Sequence, residues 1–365
     1  MNRVVRYALP SPRALDGAEA LALAAEALLE LEDAPTFAGP QDDEERLREA
    51  LQRAAERRAG EGEEAAALAQ EALERLLGEG WVERVEGAGG LRLAASPALL
   101  AAATRRALER FFPRTPPRDP GPWPRPGVEG PHEPHGPARP WRWGEPLNLD
   151  ATATLKSWIL RGDELAPEDL HVREGEGGRR AAVALLLDCS HSMVLYGADR
   201  FGPARGLALA LEHWTRSRGD ELAVICFHDR AELVPPQRLP FLQAQPSHTN
   251  TAAALARAHR WLRRRAVGDR HVFLVTDGRP TAIELPDGSL YKNAWGLDER
   301  IARATLAEAA RLRRLGARLE VYMLGDEPEM VAFTHELARV ARGRAVATTP
   351  QALGRRVWSA LAQER

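Results

Sequence analysis

Residues 181–187 are apolar at every position, and the run stops on an acid, Asp188. A strand with one wet face alternates apolar and polar residues, so a strand that is apolar throughout must be covered on both faces. Comparable runs recur at 222–227, 271–276 and 319–324, and shorter strands are predicted at 231–234 and 344–347. Between them, apolar residues fall at helical spacing over 201–216, 251–265, 299–315, 328–341 and 350–361. Doubly covered strands that alternate with helices pack as a mainly parallel sheet with helices on both faces, a doubly wound α/β fold. Residues 170–174 and 181–187 flank a Gly-rich turn, which predicts an edge hairpin leading into the central strand.

The 365 residues exceed one compact domain. Residues 1–112 read as a smaller unit, with helices over 15–32, about 42–60, 63–78 and 96–112. The hairpin signal of Gly87-Ala88-Gly89-Gly90 precedes the last of these. Helices followed by a hairpin are winged-helix-like, an arrangement associated with DNA. However, the helix that would enter the groove is built of Glu, Ala and Leu with Arg75 its only base, and the chain's net charge is −2. Phosphates would repel such a helix, so nucleic acid is not the expected partner. Residues 113–140 are dominated by Pro and Gly and predict a linker in which His132 and His135 are solvated. Residues 141–365 then form the sheet domain with a lead-in. Its Leu155, Trp158 and Ile159, at helical spacing, predict a short helix packed onto it.

Cys189 and Cys226 both lie in or beside strand-like runs and do not suggest a disulfide framework. No apolar run of signal-peptide type follows the basic start, and no segment is long enough to span a bilayer. A cytoplasmic protein without membrane insertion is therefore expected. The only lysines, Lys156 and Lys292, follow Leu155 and Tyr291, so the chain has no Gly-Lys-[Ser/Thr] phosphate loop.

The chemistry gathers where the first buried strand ends. Asp188-Cys189-Ser190-His191-Ser192 is a D-x-S-x-S pattern. If the chain stays extended, Asp188, Ser190 and Ser192 share one side at the sheet's carboxyl edge, where open α/β sheets bind ligands. Oxygen donors, most of them neutral, suit a hard cation such as Mg²⁺. Two further pieces follow in order: Thr249 before a helix, and Asp277-Gly278 ending a later buried strand. Taken singly, the serines, Thr249 or Asn250 are plausible helix caps, and Asp277-Gly278 an ordinary turn. His191 and His248 lack partners at zinc spacing and read as loop residues.

Together the three pieces resemble the metal-ion-dependent adhesion site of von Willebrand factor A (VWA) domains, over roughly half the chain. That resemblance implies a Rossmann-like sheet whose Asp188, Ser190, Ser192, Thr249 and Asp277 ligate Mg²⁺, with Mn²⁺ or Ca²⁺ as alternatives. It further implies that an acidic side chain of a protein partner completes the shell. The loop departs from the usual Gly-Gly-Thr, reading Ser247-His248-Thr249, which predicts altered access. No nucleophile with an adjacent base accompanies the site, so a binding module and not an enzyme is expected. Intracellular bacterial VWA proteins resemble this chain and work with AAA+ ATPases of the MoxR type or as chelatase subunits. An AAA+ ATPase, or its client, is thus the implied partner. The alternative, a haloacid dehalogenase-like phosphohydrolase, needs a second acid where Ser190 stands. A fragment starting after Pro140 is expected to be soluble.

Overall fold

The computed structural model describes residues 15–31, 42–87, 90–111, 138–140, 150–162, 166–173, 181–194, 199–245, 247–265, 267, 269–293, 295–325 and 327–363. The tip of the predicted hairpin at 88–89, most of the Pro/Gly-rich stretch with His132 and His135, and the Gly-rich turn before residue 181 lie outside them.

The amino-terminal elements are α1 (Gly17–Leu29), α2 (Asp43–Ala59), α3 (Glu63–Gly78), β1 (Val82–Gly87), β2 (Gly90–Ala95) and α4 (Pro97–Phe111). Next come β3 (Ala138–Pro140), α5 (Ala151–Arg161), β4 (His171–Arg173), β5 (Ala181–Asp188), α6 (Phe201–Arg218), β6 (Glu221–Phe227) and β7 (Ala231–Val234). The rest is α7 (Thr251–Arg263), β8 (Asp269–Thr276), β9 (Ala282–Glu284), β10 (Leu290–Lys292), α8 (Glu299–Arg314), β11 (Arg318–Met323), α9 (Pro328–Val340), β12 (Arg344–Ala347) and α10 (Pro350–Gln363).

Six strands form the main sheet in the order β12-β11-β8-β5-β6-β7. All neighbours are parallel except β7, which closes the edge antiparallel to β6. β5 sits centrally and all eight of its residues are buried. The pleat sorts them. Val183, Leu185 and Leu187 join the core beneath α6 and α10, while Ala182, Ala184 and Leu186 join the core beneath α7, α8 and α9. This two-sided cover is the reason for the uninterrupted apolar run, and the doubly wound fold is as expected. Among the described residues no helix is long and apolar enough to cross a membrane.

Three local expectations are corrected. β4 pairs antiparallel with β3, so residues 138–140, read as linker, are strand, and the predicted hairpin of 170–174 with the central strand does not form. The partner strand β3 precedes α5 in the chain, and spacing alone could not reveal that pairing. α5 forms under its Asp150 cap, whose Oδ1 accepts from Thr152 N and Ala153 N, each at 3.0 Å. Its apolar residues are nevertheless exposed (Leu155 49%, Ile159 71%, Leu160 87%), so it does not pack as predicted. The cysteines are joined as a disulfide, with Cα atoms 6.0 Å apart. Cys226 stands opposite Leu187, and Cys189 lies two residues beyond on the same side of the neighbouring strand, a separation a bridge can span. Cysteine usage therefore gives no argument for a reducing compartment.

The amino-terminal helices are not held at a distance. α1–α4 share one continuous core with α6 and α10. Polar bonds fix the joint. Asp43, whose side chain is fully buried, accepts from Leu93 N at 2.9 Å, Gln243 Nε2 at 2.8 Å and Arg238 Nη1 at 2.8 Å. Arg205, 1% exposed on α6, donates to the carbonyls of Leu242 and Leu31. A carboxylate and a guanidinium taken out of water need such full sets of partners.

Candidate functional site

The site lies at the carboxyl ends of β5 and β8, adjacent parallel strands whose register brings Leu187 opposite Val275. Asp188 is thus one residue past that pair, level with Thr276 on the neighbouring strand, and Asp277 is one residue further on. The D-x-S-x-S segment does not continue as extended chain. Ser190 N turns back to donate to Asp188 Oδ1 at 3.0 Å, and His191–Val194 winds into a 3₁₀ turn. Local side-chain-to-backbone bonding competes with the extended form here. The three side chains are gathered by this turn and not by strand alternation, which corrects the geometric premise.

Four of the five predicted residues form one hydrogen-bonded cluster. Ser190 Oγ and Ser192 Oγ are 3.2 Å apart, and Ser192 Oγ donates to Asp277 Oδ1 at 2.7 Å. Asp188 is fully buried, Ser190 is 2% exposed and Asp277 8%. The fifth residue, Thr249, is 4% exposed at the start of α7 and shares no hydrogen bond with the four. Asn250, not Thr249, caps α7 through Oδ1, which accepts from Ala253 N at 3.0 Å, so the Thr249 hydroxyl is not consumed as a cap. The Thr249 loop is nonetheless anchored to the site from two sides. Gln245 N donates to Cys189 O at 2.6 Å within the motif, and Thr249 O accepts from Thr281 N at 2.9 Å, four residues beyond Asp277. His248 is a loop residue, as expected. Its backbone N donates to Asp229 Oδ1 at 2.9 Å, and Lys292 Nζ donates to the other oxygen of Asp229 at 2.7 Å.

Two contributors escaped the sequence reading. Thr276 donates its hydroxyl to Asp188 Oδ2 at 2.6 Å, orienting that carboxylate. Its place beside Asp277 was the available signal. Arg200 Nη1 donates to Asp277 Oδ2 at 2.8 Å and to Ser192 O at 3.4 Å. Its eight-residue separation from Ser192 carries no recognisable spacing. A further neighbour is Gly325, where a Cβ would meet Asp277 O at 2.9 Å, so the end of β11 approaches the site's backbone closely.

Electrostatically the site is short of positive charge. Burial, and then the charge of Asp277, lifts the Asp188 carboxyl from 3.8 to about 7. Burial likewise raises Asp277, against the opposing pull of Ser192 and Arg200. Two desolvated carboxylates facing each other disfavour joint ionisation unless a cation lies between them. Their remaining donors are hydroxyls, the hard neutral oxygens that Mg²⁺ or Mn²⁺ accepts. The donor set therefore fits a divalent ion. It is not a zinc set: among the described residues no group of three or more His, Cys, Asp and Glu is placed to hold a metal.

Residues 181–361 match the family model described as "Rv0959-like protein, vWA domain". The chain is 36% identical over 234 residues to the uncharacterized protein Rv0959 of Mycobacterium tuberculosis, covering 60% of this chain and 34% of that one. The uncharacterized protein Mb0984 of Mycobacterium bovis matches with the same values. The chain thus spans about a third of the length of the curated relatives it matches. Among solved structures, a von Willebrand factor type A protein from Catenulispora acidiphila is 18% identical with a TM-score of 0.34, covering 53% of this chain and 43% of that one. The PilB minor pilin from Streptococcus sanguinis is 12% identical with a TM-score of 0.42, covering 53% and 64%. With the doubly wound sheet and the family match over the same residues, the conclusion is that this chain carries a von Willebrand factor A-type domain over residues 181–361.

Proposed function

We propose that the chain is a metal-dependent protein-binding module. Asp188, Ser190, Ser192, Thr249 and Asp277 hold one divalent ion, Mg²⁺ first and Mn²⁺ or Ca²⁺ next, and an acidic side chain of a protein partner completes its shell. The observation that carries this reading is the pair of buried carboxylates sharing a hydroxyl network at the carboxyl edge of the sheet. When bound, the ion supplies a Lewis-acidic position open to a carboxylate oxygen. The chain's own residues do the rest. Thr276 and Ser190 N fix the orientation of Asp188, and Ser192 fixes Asp277.

Binding rather than catalysis is the role, in the cytoplasm, with an AAA+ ATPase of the MoxR type or its client as the partner. The absence of a phosphate loop from the sequence supports that pairing, because ATP hydrolysis would then come from the partner. Neither nucleic acid nor membrane insertion enters this account. The test is co-purification of the full chain with the MoxR-type ATPase of the same organism, in Mg²⁺ and in EDTA, for the natural protein and for Asp188→Ala. Capture that needs both Mg²⁺ and Asp188 is expected. Capture indifferent to EDTA would refute the metal bridge.

A further inference from the structure

We infer that Arg200 is a tethered counter-ion of this site that competes with the divalent ion for Asp277 and thereby sets the site's metal affinity. The inference rests on the metal-binding reading above and goes beyond it. The side chain of Asp277 is 1% exposed and has two oxygens. One accepts from Ser192 Oγ at 2.7 Å, on the side of the hydroxyl cluster, and the other is held by the guanidinium of Arg200 at 2.8 Å. Arg200 stands at the residue before α6, where its backbone N donates to Met193 O at 3.0 Å. That bond ties the start of α6 to the D-x-S-x-S turn, and the guanidinium reaches Ser192 O as well.

The charge balance explains why this matters. Asp188 and Asp277 alone would neutralise a divalent ion. With Arg200 on Asp277 the protein presents one net negative charge to that ion instead of two, and the ion's attraction is reduced. Mere orientation of Asp277 would not require a full charge, since the Ser192 hydroxyl already orients it. The side chain of Arg200 is 22% exposed and its stem is flexible, so it can leave Asp277 without breaking the fold. Once the ion is seated, the same guanidinium leaves the site with a surplus positive charge. That surplus favours an acidic partner side chain over a neutral one.

The test is calorimetric titration of the full chain with Mn²⁺ alone, comparing the natural protein with Arg200→Gln and Arg200→Lys, and with Asp188→Ala as the site control. Arg200→Gln is expected to bind Mn²⁺ about tenfold more tightly, and Arg200→Lys close to the natural value. In EDTA the Arg200→Gln melting midpoint is expected to fall, and Mn²⁺ to restore it. Unchanged or weaker Mn²⁺ binding by Arg200→Gln, with Asp188→Ala still abolishing it, would overturn the inference and leave the site standing. No binding by either the natural protein or Arg200→Gln would overturn the site and the inference together. Should Arg200→Gln fail to fold, the natural protein gives the same answer through the resonance of the Arg200 Nη1–H that donates to Asp277. Loss of its exchange protection on adding Mg²⁺ is expected, and an unchanged resonance at saturating Mg²⁺ would refute displacement.

Discussion

Replacing Asp188 by asparagine should make the metal-free protein more stable at alkaline pH while destroying its metal site. The carboxyl titrates near 3.8 in the unfolded chain and near 7 in the folded one, raised first by burial and then by Asp277. Between those values the folded state binds more protons, so stability falls with rising pH at about 1.4 kcal/mol per pH unit. The contribution is fully present below the unfolded value and is lost as pH rises through about 7. Summed over the window it reaches roughly 4 kcal/mol at most. An asparagine cannot ionise, yet its oxygen can still accept from Ser190 N, and the Thr276 hydroxyl can rotate to accept from its amide. Urea unfolding in EDTA should therefore show Asp188→Asn gaining roughly 2–4 kcal/mol over the natural protein at pH 8 and little or nothing at pH 4. Mn²⁺ binding should be lost at every pH. Parallel stability curves across pH, or a variant weaker at pH 8, would refute the claim that Asp188 is held ionised at a cost.

Other outcomes follow from the same structure. Asp43→Ala leaves Arg238 and Gln243 without their shared carboxylate inside the joint, and should cost about 3–5 kcal/mol in urea unfolding; a cost below about 1 kcal/mol would deny the joint its role. Removing residues 1–112 uncovers the apolar side of α6 together with Leu239 and Phe241. The truncated chain should aggregate under conditions where the full chain is monodisperse by size-exclusion chromatography, which replaces the expectation of a soluble fragment. Gly325→Ala presses a Cβ against the Asp277 carbonyl, an overpacking worth about 1–3 kcal/mol. Mn²⁺ titration should show about tenfold weaker binding, equivalent to 1.4 kcal/mol, and unaltered binding would mean the strand end yields freely.

Much of the sheet was legible because burial on both faces leaves a strong mark. No residue of the run before Asp188 is polar, and only a doubly covered parallel strand tolerates that. The site's acids and serines were legible because each ends or follows such a run. What remained hidden depended on long-range geometry. The turn that gathers Ser190 and Ser192 is decided by the hydrogen bond from Ser190 N to Asp188, which competes with the extended form at no visible cost in sequence. Arg200 reaches Asp277 across 77 residues of chain. The cysteine bridge required knowing that β5 and β6 are neighbours in a specific register. α5 misled for another reason: helical periodicity reports a helix but not what covers it, and Ile159 and Leu160 stay exposed.

A crystal of the full chain grown with Mn²⁺, with diffraction recorded at the manganese absorption edge, would show whether one divalent ion sits among the five site residues. A single strong anomalous peak is expected within ligand distance, about 2.0–2.3 Å, of oxygens from Asp188 or Asp277 and the hydroxyls of Ser190, Ser192 and Thr249, with Arg200 turned away from Asp277. No peak there, or a peak held by other residues while Arg200 still pairs with Asp277, would contradict the proposed site.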